Sequence, residues 1–335
     1  MATQIAGVSG TTSTSGLGCR QWRRLREVSL GYFLLAPAFL LLVVFEFYPV
    51  LYGFYISLCR WRATGCLEMI GAGNYQTAIE DPQMWASLWT TTMYSAISVP
   101  LQLSIGLFIA YLLFQNIRGK EALRVMFFLP YITSTVASAA VWAYLYSPDK
   151  GLINLALKSI GLPTLRWLGE ARGVFEAVAR TYNPEANLPS GLEGPPLALV
   201  ALLIYTTWVF VGYDITIFLA GLGNIPPELY DAAKVDGASG WKLFRYVTFP
   251  LLSPTTFFLL ILTVIGTFKA FNHIWVMTQG GPVDVTNTSA IYIFQQLYQN
   301  NRYGYSAALS FILFAVILAL TLVQNRVAGS RVVYD

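Results

Sequence analysis

The sequence predicts an all-α integral membrane protein: six transmembrane helices, with a structured polar elbow between the fourth and fifth. Three observations lead there. Of the 335 residues, 56% are hydrophobic and only 11% charged, whereas soluble domains carry about 25% charged residues. Six apolar runs reach the roughly 20 residues needed to cross a bilayer, at 30–58, 88–114, 123–146, 197–222, 251–277 and 304–324. Lys and Arg gather in alternate gaps between these runs, the asymmetry that orients a multi-pass chain.

An N-terminal arm over 1–29 comes first. Residues 1–19 are rich in Ser, Thr and Gly, a composition expected to stay disordered. Arg20, Arg23, Arg24 and Arg26 follow, then the first apolar run. A signal peptide has this outline, but the run is too long and no small-residue cleavage site follows it. It reads as a retained anchor helix. The remaining domain, 30–335, is the six-span body. Pro37, Pro49, Pro100, Gly106 and Pro130 fall inside its runs, where neighbouring helices can satisfy the freed backbone groups.

The second gap holds Arg118, Lys120 and Arg124, the fourth Lys234, Lys242 and Arg245, and the tail Arg326 and Arg331. On the opposite side, the first gap has Arg60 and Arg62, and the fifth has Arg302. The third gap, 147–196, balances five basic against five acidic residues and is too long to weigh in the rule. Both termini and the fourth gap are therefore expected in the cytoplasm, and 147–196 outside. Its stretch KGLINLALKSIGL predicts a small cap with one short helix.

The net charge of +4 is dispersed, unlike a nucleic-acid footprint. One histidine and three cysteines without a C-x-x-C pair exclude a structural zinc site. Cys59 and Cys66 can pair if both face an oxidising compartment, but free thiols near a helix end are the expected state. The chain has no nucleotide loop of its own. Its one Gly-Lys pair, Gly119-Lys120, has Phe114 where the first glycine belongs and Glu121 where Ser or Thr belongs. No inverted repeat stands out.

The elbow, 223–250, reads as two helices. Asn224 is placed to cap the first, and Pro226 and Pro227 suit its first turn. Glu228 and Asp231 complement the positive end of its dipole. Leu229, Ala232, Ala233 and Asp236 share one small, apolar face, and Gly237 is placed to end the helix. A second helix, WKLFRYVTF, leads to Pro250.

This stretch resembles the cytoplasmic signature of the membrane subunits of binding-protein-dependent ABC importers: Glu-Ala-Ala, three residues, Gly, nine residues, Ile, one residue, Leu-Pro. Here it is Asp231-Ala232-Ala233, Gly237, Val247, Phe249-Pro250, with every spacing kept. GAGNYQTAIEDPQMW, the run from FFLPYITSTVAS to KSIGLP, FLAGLGNIPPELYDAAKVDGAS and MTQGGP are similar to the sugar-permease branch, of maltose and glycerol-phosphate type. MTQGGP resembles the first of the two permeases these systems pair. The arm and the outer segment 170–196 have no counterpart in that pattern.

The resemblance implies the type I ABC importer fold, with the elbow as a coupling helix. Glu228, Asp231, Ala232, Ala233 and Gly237 would dock it on an ATPase. The implied partners are a second homologous permease, two cytoplasmic ATPase subunits that use ATP and Mg, and an extracytoplasmic solute-binding protein. The chain itself needs no cofactor. The implied location is a bacterial or archaeal inner membrane.

A sugar pathway wants hydroxyl-matching groups and flat aromatic faces. Tyr131 and Thr135, Phe210 and Tyr213, and Thr263 and Thr267 offer them at helical spacings on three spans, positions similar to the family's contact positions. Each pair also suits plain helix–helix packing. Asp214 and Lys269 are ionisable within or near spans, and pairing with each other is the expectation, since an isolated charge there is costly. His273 is expected at the headgroups. The alternatives are an ion-coupled secondary carrier, for which Glu46 and Asp214 are the candidate relay carboxylates, and a membrane enzyme, for which no acid–base cluster is found. A saccharide, a glycoside-type compatible solute and glycerol 3-phosphate all remain open as solute.

Overall fold

The computed structural model describes the backbone of residues 15–327 and 329, apart from 63, 64, 116 and 190, and side chains from residue 28 onward with the same gaps. The chain divides into two units, Met1–Ile56 and Ser57–Asp335. In the first, α1 (Ser15–Leu42) runs through a π-helical turn (Val43–Phe47) into α2 (Tyr48–Ser57). Val28–Ser57 is long and apolar enough to cross a membrane. The arm expected to be disordered over 1–29 is thus helical from Ser15. Residues 1–14 lie outside the described residues.

The second unit opens with an antiparallel hairpin, β1 (Cys59–Arg62) and β2 (Gly65–Met69). Cys59 and Cys66 are joined in a disulfide, which corrects the expectation of free thiols. Strand pairing brings their Cα atoms to 5.6 Å, within bridging range; a helix end would not have done so. In α3 (Gly73–Glu80) the Asn74 amide donates to the carbonyls of Ser57 at 2.8 Å and Cys59 at 3.0 Å, tying helix to hairpin. Next, α4 (Pro82–Phe114) starts before the predicted apolar run because Asp81 caps it. Its Oδ1 accepts from the Gln83 N–H at 2.9 Å, with Pro82 in the first turn.

The apolar run at 123–146 is not one helix. Instead α5 (Lys120–Ile132) and α6 (Thr135–Leu145) meet at 96°. At the break the Thr133 hydroxyl donates to the Pro130 carbonyl at 2.6 Å, and Ser134 caps α6 by accepting from the Ala137 N–H at 3.4 Å. Side chains thereby satisfy backbone groups the break releases.

Outside the spans, α7 (Leu152–Ser159) and α8 (Val174–Tyr182) make a cap of two short helices, where the sequence suggested one. Asn154 is the buried organiser. Its amide donates to Pro148 and Leu165 carbonyls, and its Oδ1 accepts from the Trp167 indole at 3.0 Å. The second helix closes on Glu176, buried and paired with Arg180 at 2.8 Å.

The central element is α9 (Leu197–Gly223), which packs along α4 and crosses α5. Tyr205, Val209, Ile215, Phe218 and Leu222 are buried along it. At Gly212 the crossing is so close that a Cβ would sit 2.0 Å from the Phe127 carbonyl oxygen. The chain continues through α10 (Pro227–Val235), α11 (Trp241–Leu243), a π-helical turn (Phe244–Thr248), α12 (Phe249–Leu251) and α13 (Ser253–Phe268). Then come α14 (Asn272–Thr278), α15 (Ser289–Phe294), a third π-helical turn (Gln295–Gln299) and α16 (Tyr303–Val327). The run at 251–277 is likewise interrupted, since α13 stops at Phe268 and α14 restarts at Asn272. Among the described residues four helices are long and apolar enough to cross a membrane, and up to six crossings result if Lys120–Ile132 with Thr135–Leu145, and Trp241–Leu251 with Ser253–Phe268, which meet at 64°, each count as one.

Candidate functional site

The two interrupted spans converge on α4 and α9. A cavity of about 400 Å³ opens between them. Tyr131, Thr135, Phe210, Tyr213, Asp214, Thr263, Thr267 and Lys269, drawn from three stretches of sequence, all line it. Tyr131 closes one side, its ring 5.0 Å from that of Tyr213 and 6.2 Å from that of Phe210. The Gly212 crossing sets this aromatic wall, because it lets α5 and α9 approach to backbone contact.

Polar groups pack beside these rings, with His273 6.2 Å from the Phe210 ring. The Ser95 and Thr267 hydroxyls are 2.7 Å apart, and Thr267 also donates to the Val264 carbonyl. His273 Nε2 lies 3.1 Å from the Tyr94 hydroxyl and 3.3 Å from that of Thr206, which are themselves 2.7 Å apart. His273 is therefore buried within this unit, not at the headgroups. The end of the apolar run hid this, since α14 continues the helical path inward past the break at 269–271.

Asp214 does not pair with Lys269. Gln102 donates to its Oδ2 at 2.6 Å, and its Oδ1 is buried without a partner. Lys269 is exposed to the cavity and forms no ion pair among the described residues. The approach of α4 explains the choice: a Cβ on Gly106 would meet the Asp214 Cβ at 3.0 Å, so Gln102, one turn earlier, is in reach. Tyr94, Gln102 and Thr206 were missed from sequence. The one available signal was an amide or hydroxyl inside an apolar run.

At the elbow, α10 starts after Pro226, with Pro227 in its first turn. Asn224 ends α9 instead of capping α10, because Pro226 itself holds the extended capping conformation. Gly237, at φ +82°, closes α10 in a Schellman arrangement. The Ala238 N–H donates to Ala233 at 2.9 Å and the Gly237 N–H to Lys234 at 3.0 Å. No residue of α10 is buried. Glu228, Asp231 and Ala232 are exposed and Ala233 half-buried. Asp231 pairs with Lys234 at 2.8 Å. Val235, Trp241 and Tyr246 are exposed beside them, and the Tyr230 hydroxyl, 3.2 Å from that of Thr248, ties the two arms of the elbow together.

Comparison with known proteins bears on both regions. The family model described as binding-protein-dependent transport system inner membrane component matches residues 102–331. The trehalose/maltose transport system permease protein MalF of Thermococcus litoralis is 31% identical over 92% of this chain and 96% of its own length. The sn-glycerol-3-phosphate transport system permease protein UgpA of Agrobacterium fabrum is 31% identical over 91% of this chain and 96% of its own. A crystal structure of a bacterial ABC transporter involved in import of the acidic polysaccharide alginate superposes with a TM-score of 0.75 at 22% identity, covering 93% of this chain and 99% of that one. That likeness shows a shared fold.

Proposed function

This chain belongs to the family of binding-protein-dependent transport system inner membrane components, and on that premise we propose that it forms, with a second homologous permease, the pathway of an ATP-driven importer for a sugar or sugar-like solute. It is a multi-pass membrane transport subunit, and membership of this family sets the ion-coupled carrier aside. ATP and Mg belong to two separate ATPase subunits in this reading, and an extracytoplasmic binding protein delivers the solute. The termini and elbow lie in the cytoplasm; the hairpin and the cap lie outside. The Cys59–Cys66 disulfide supports that orientation, because such bonds persist in oxidising compartments.

The observation that carries the proposal is the cavity where two interrupted spans meet. Non-helical backbone at membrane depth is tolerated where it lines a pathway. Here the breaks at 133–134 and 269–271 lie beside Thr135 and Lys269. Flat rings on Tyr131, Phe210 and Tyr213 share the lining with Thr263 and Thr267, a combination suited to the apolar faces and hydroxyl edges of a sugar ring. The exposed elbow, with its small Ala232–Ala233 face, suits close docking in a groove of the ATPase.

The test is reconstitution with the cytoplasmic and extracytoplasmic proteins encoded beside it. ATP hydrolysis should rise when the binding protein is loaded with solute, and uptake should require the ATPase. Uptake that continues without any ATPase, or labelling of Lys234 and Lys242 from outside the cell, would overturn the reading.

A further inference from the structure

Every Lys and Arg of the two short outer gaps lines one cavity. Arg60 and Arg62 come from the first gap and Arg302 from the fifth. All three border a space of about 910 Å³ formed by the hairpin, α3 and the start of α16. Among the described residues no Asp or Glu lines it. Arg60 is paired with Glu68 at 3.0 Å. Among the described residues no carboxylate pairs with Arg62 or Arg302, and both are exposed. The Arg302 guanidinium stands 4.3 Å over the ring of Tyr305, which fixes its position.

Short outer gaps are normally poor in Lys and Arg, and gathering like charges costs energy unless an anion offsets it. The level in the membrane is also set. The first span ends at Ser57, two residues before β1, and α16 begins at Tyr303. Trp61 and Tyr303 line the space, ring types that favour the headgroup layer. We propose that this cavity seats the phosphate of an anionic phospholipid from the outer leaflet, held by Arg62 and Arg302. Arginine's planar fork matches phosphate oxygens in pairs, and Asn300 and Asn301 add uncharged donors. The site rests on the outward placement of the hairpin proposed above.

The test uses the full chain in mild detergent with equal amounts of phosphatidylglycerol and phosphatidylcholine, retained lipids being counted by native mass spectrometry. Phosphatidylglycerol should be enriched. The enrichment should fall roughly five-fold for each of Arg62→Gln and Arg302→Gln and much less for Arg60→Gln, whose guanidinium is already paired. Arg62→Lys and Arg302→Lys, which keep the charge, should retain part of it, and unchanged thermal unfolding shows that the fold survives. Equal retention of the two lipids, or indifference to both Gln variants, overturns the proposal. Displacement of phosphatidylglycerol by inorganic phosphate overturns the lipid assignment and leaves a free-anion site. An impermeant arginine reagent separates the two layers of argument. If it reaches Arg62 only from the cytoplasmic side, the orientation fails. If it reaches Arg62 from outside while no lipid preference exists, the lipid site alone fails.

Discussion

Gln102 donates a 2.6 Å hydrogen bond to Oδ2 of Asp214, across 112 residues of sequence, while Oδ1 of the same side chain is buried with no partner. One oxygen is thus anchored on α4 and the other is enclosed without a hydrogen-bond partner.

Removing the anchor should cost more than removing the pair. Gln102→Leu strands a buried carboxyl group and should lower stability by about 3 kcal/mol. The double variant Gln102→Leu with Asp214→Leu should recover most of that loss, since neither polar group remains. Denaturation of the four proteins of this cycle in detergent measures it. Additive losses would show that the two side chains do not depend on each other. Asp214→Asn, of the same size, should preserve the fold, because Gln102 can still donate to the amide oxygen.

The wall of the cavity depends on Gly212. A Cβ there would lie 2.0 Å from the Phe127 carbonyl oxygen and 2.7 Å from its carbon, and backbone cannot swing aside. Gly212→Ala should force α5 from α9, split the Tyr131–Tyr213 stack and cost about 3 kcal/mol or more. Gly266→Ala is the matched control. It lies on the same cavity with nothing within 4 Å of its Cβ and should be neutral or slightly stabilising. Equal loss of stability at both positions would refute the close-crossing account.

Much of this architecture was legible in the linear pattern, and the rest fails for identifiable reasons. Length and hydropathy mark the membrane crossings, and the spacing of Thr263 with Thr267 marks a shared helix face, whereas Tyr131 and Thr135, also four apart, fall on two helices either side of a break. Neither shows where a span breaks, because Thr133-Ser134 and Lys269 are short polar interruptions of the kind that unbroken membrane helices also carry. Those breaks depend on side chains such as Thr133 and Ser134 satisfying local backbone. Pairings between distant elements are equally hidden. Asp214 and Lys269 are opposite charges on neighbouring spans, yet the approach of α4 at Gly106 gives Asp214 to Gln102. The disulfide needed a strand register, and the hairpin's seven-residue spacing gave no hint of one.

The elbow should separate docking from folding. Ala233→Arg adds bulk and charge to a half-buried position on a helix with no buried residue. Membrane insertion and yield should be unchanged, while solute transport falls at least about tenfold, equivalent to roughly 1.4 kcal/mol of lost coupling. Gly237→Ala acts differently. It places a side chain at φ +82° and should cost about 1–2 kcal/mol in the Schellman turn. Transport at the normal rate in the Ala233 variant would remove the docking role from this face.

Acid sensitivity should trace to Asp81. Partial burial by itself would raise its pKa, but hydrogen bonds from the Tyr292 and Tyr305 hydroxyls and from the Gln83 N–H hold it below the usual carboxylate value. Burial, then the bond to Asp81, pushes Tyr292 up to about 12, so it stays a donor at any ordinary pH. The sign follows from linkage. A carboxyl with a depressed folded-state pKa contributes stability that is fully present above its unfolded value, near 4. That stability disappears as pH falls through the lower folded value. Tyr305→Phe removes a 2.5 Å donor bond and should move the acid midpoint upward. Asp81→Asn should flatten the acid dependence and weaken the α4 cap, which costs about 1 kcal/mol or less because Asn also caps well. Unfolding followed from pH 6 down to about pH 3 distinguishes the variants. An acid midpoint identical in wild type, Tyr305→Phe and Asp81→Asn would mean that the acid response originates at another carboxylate.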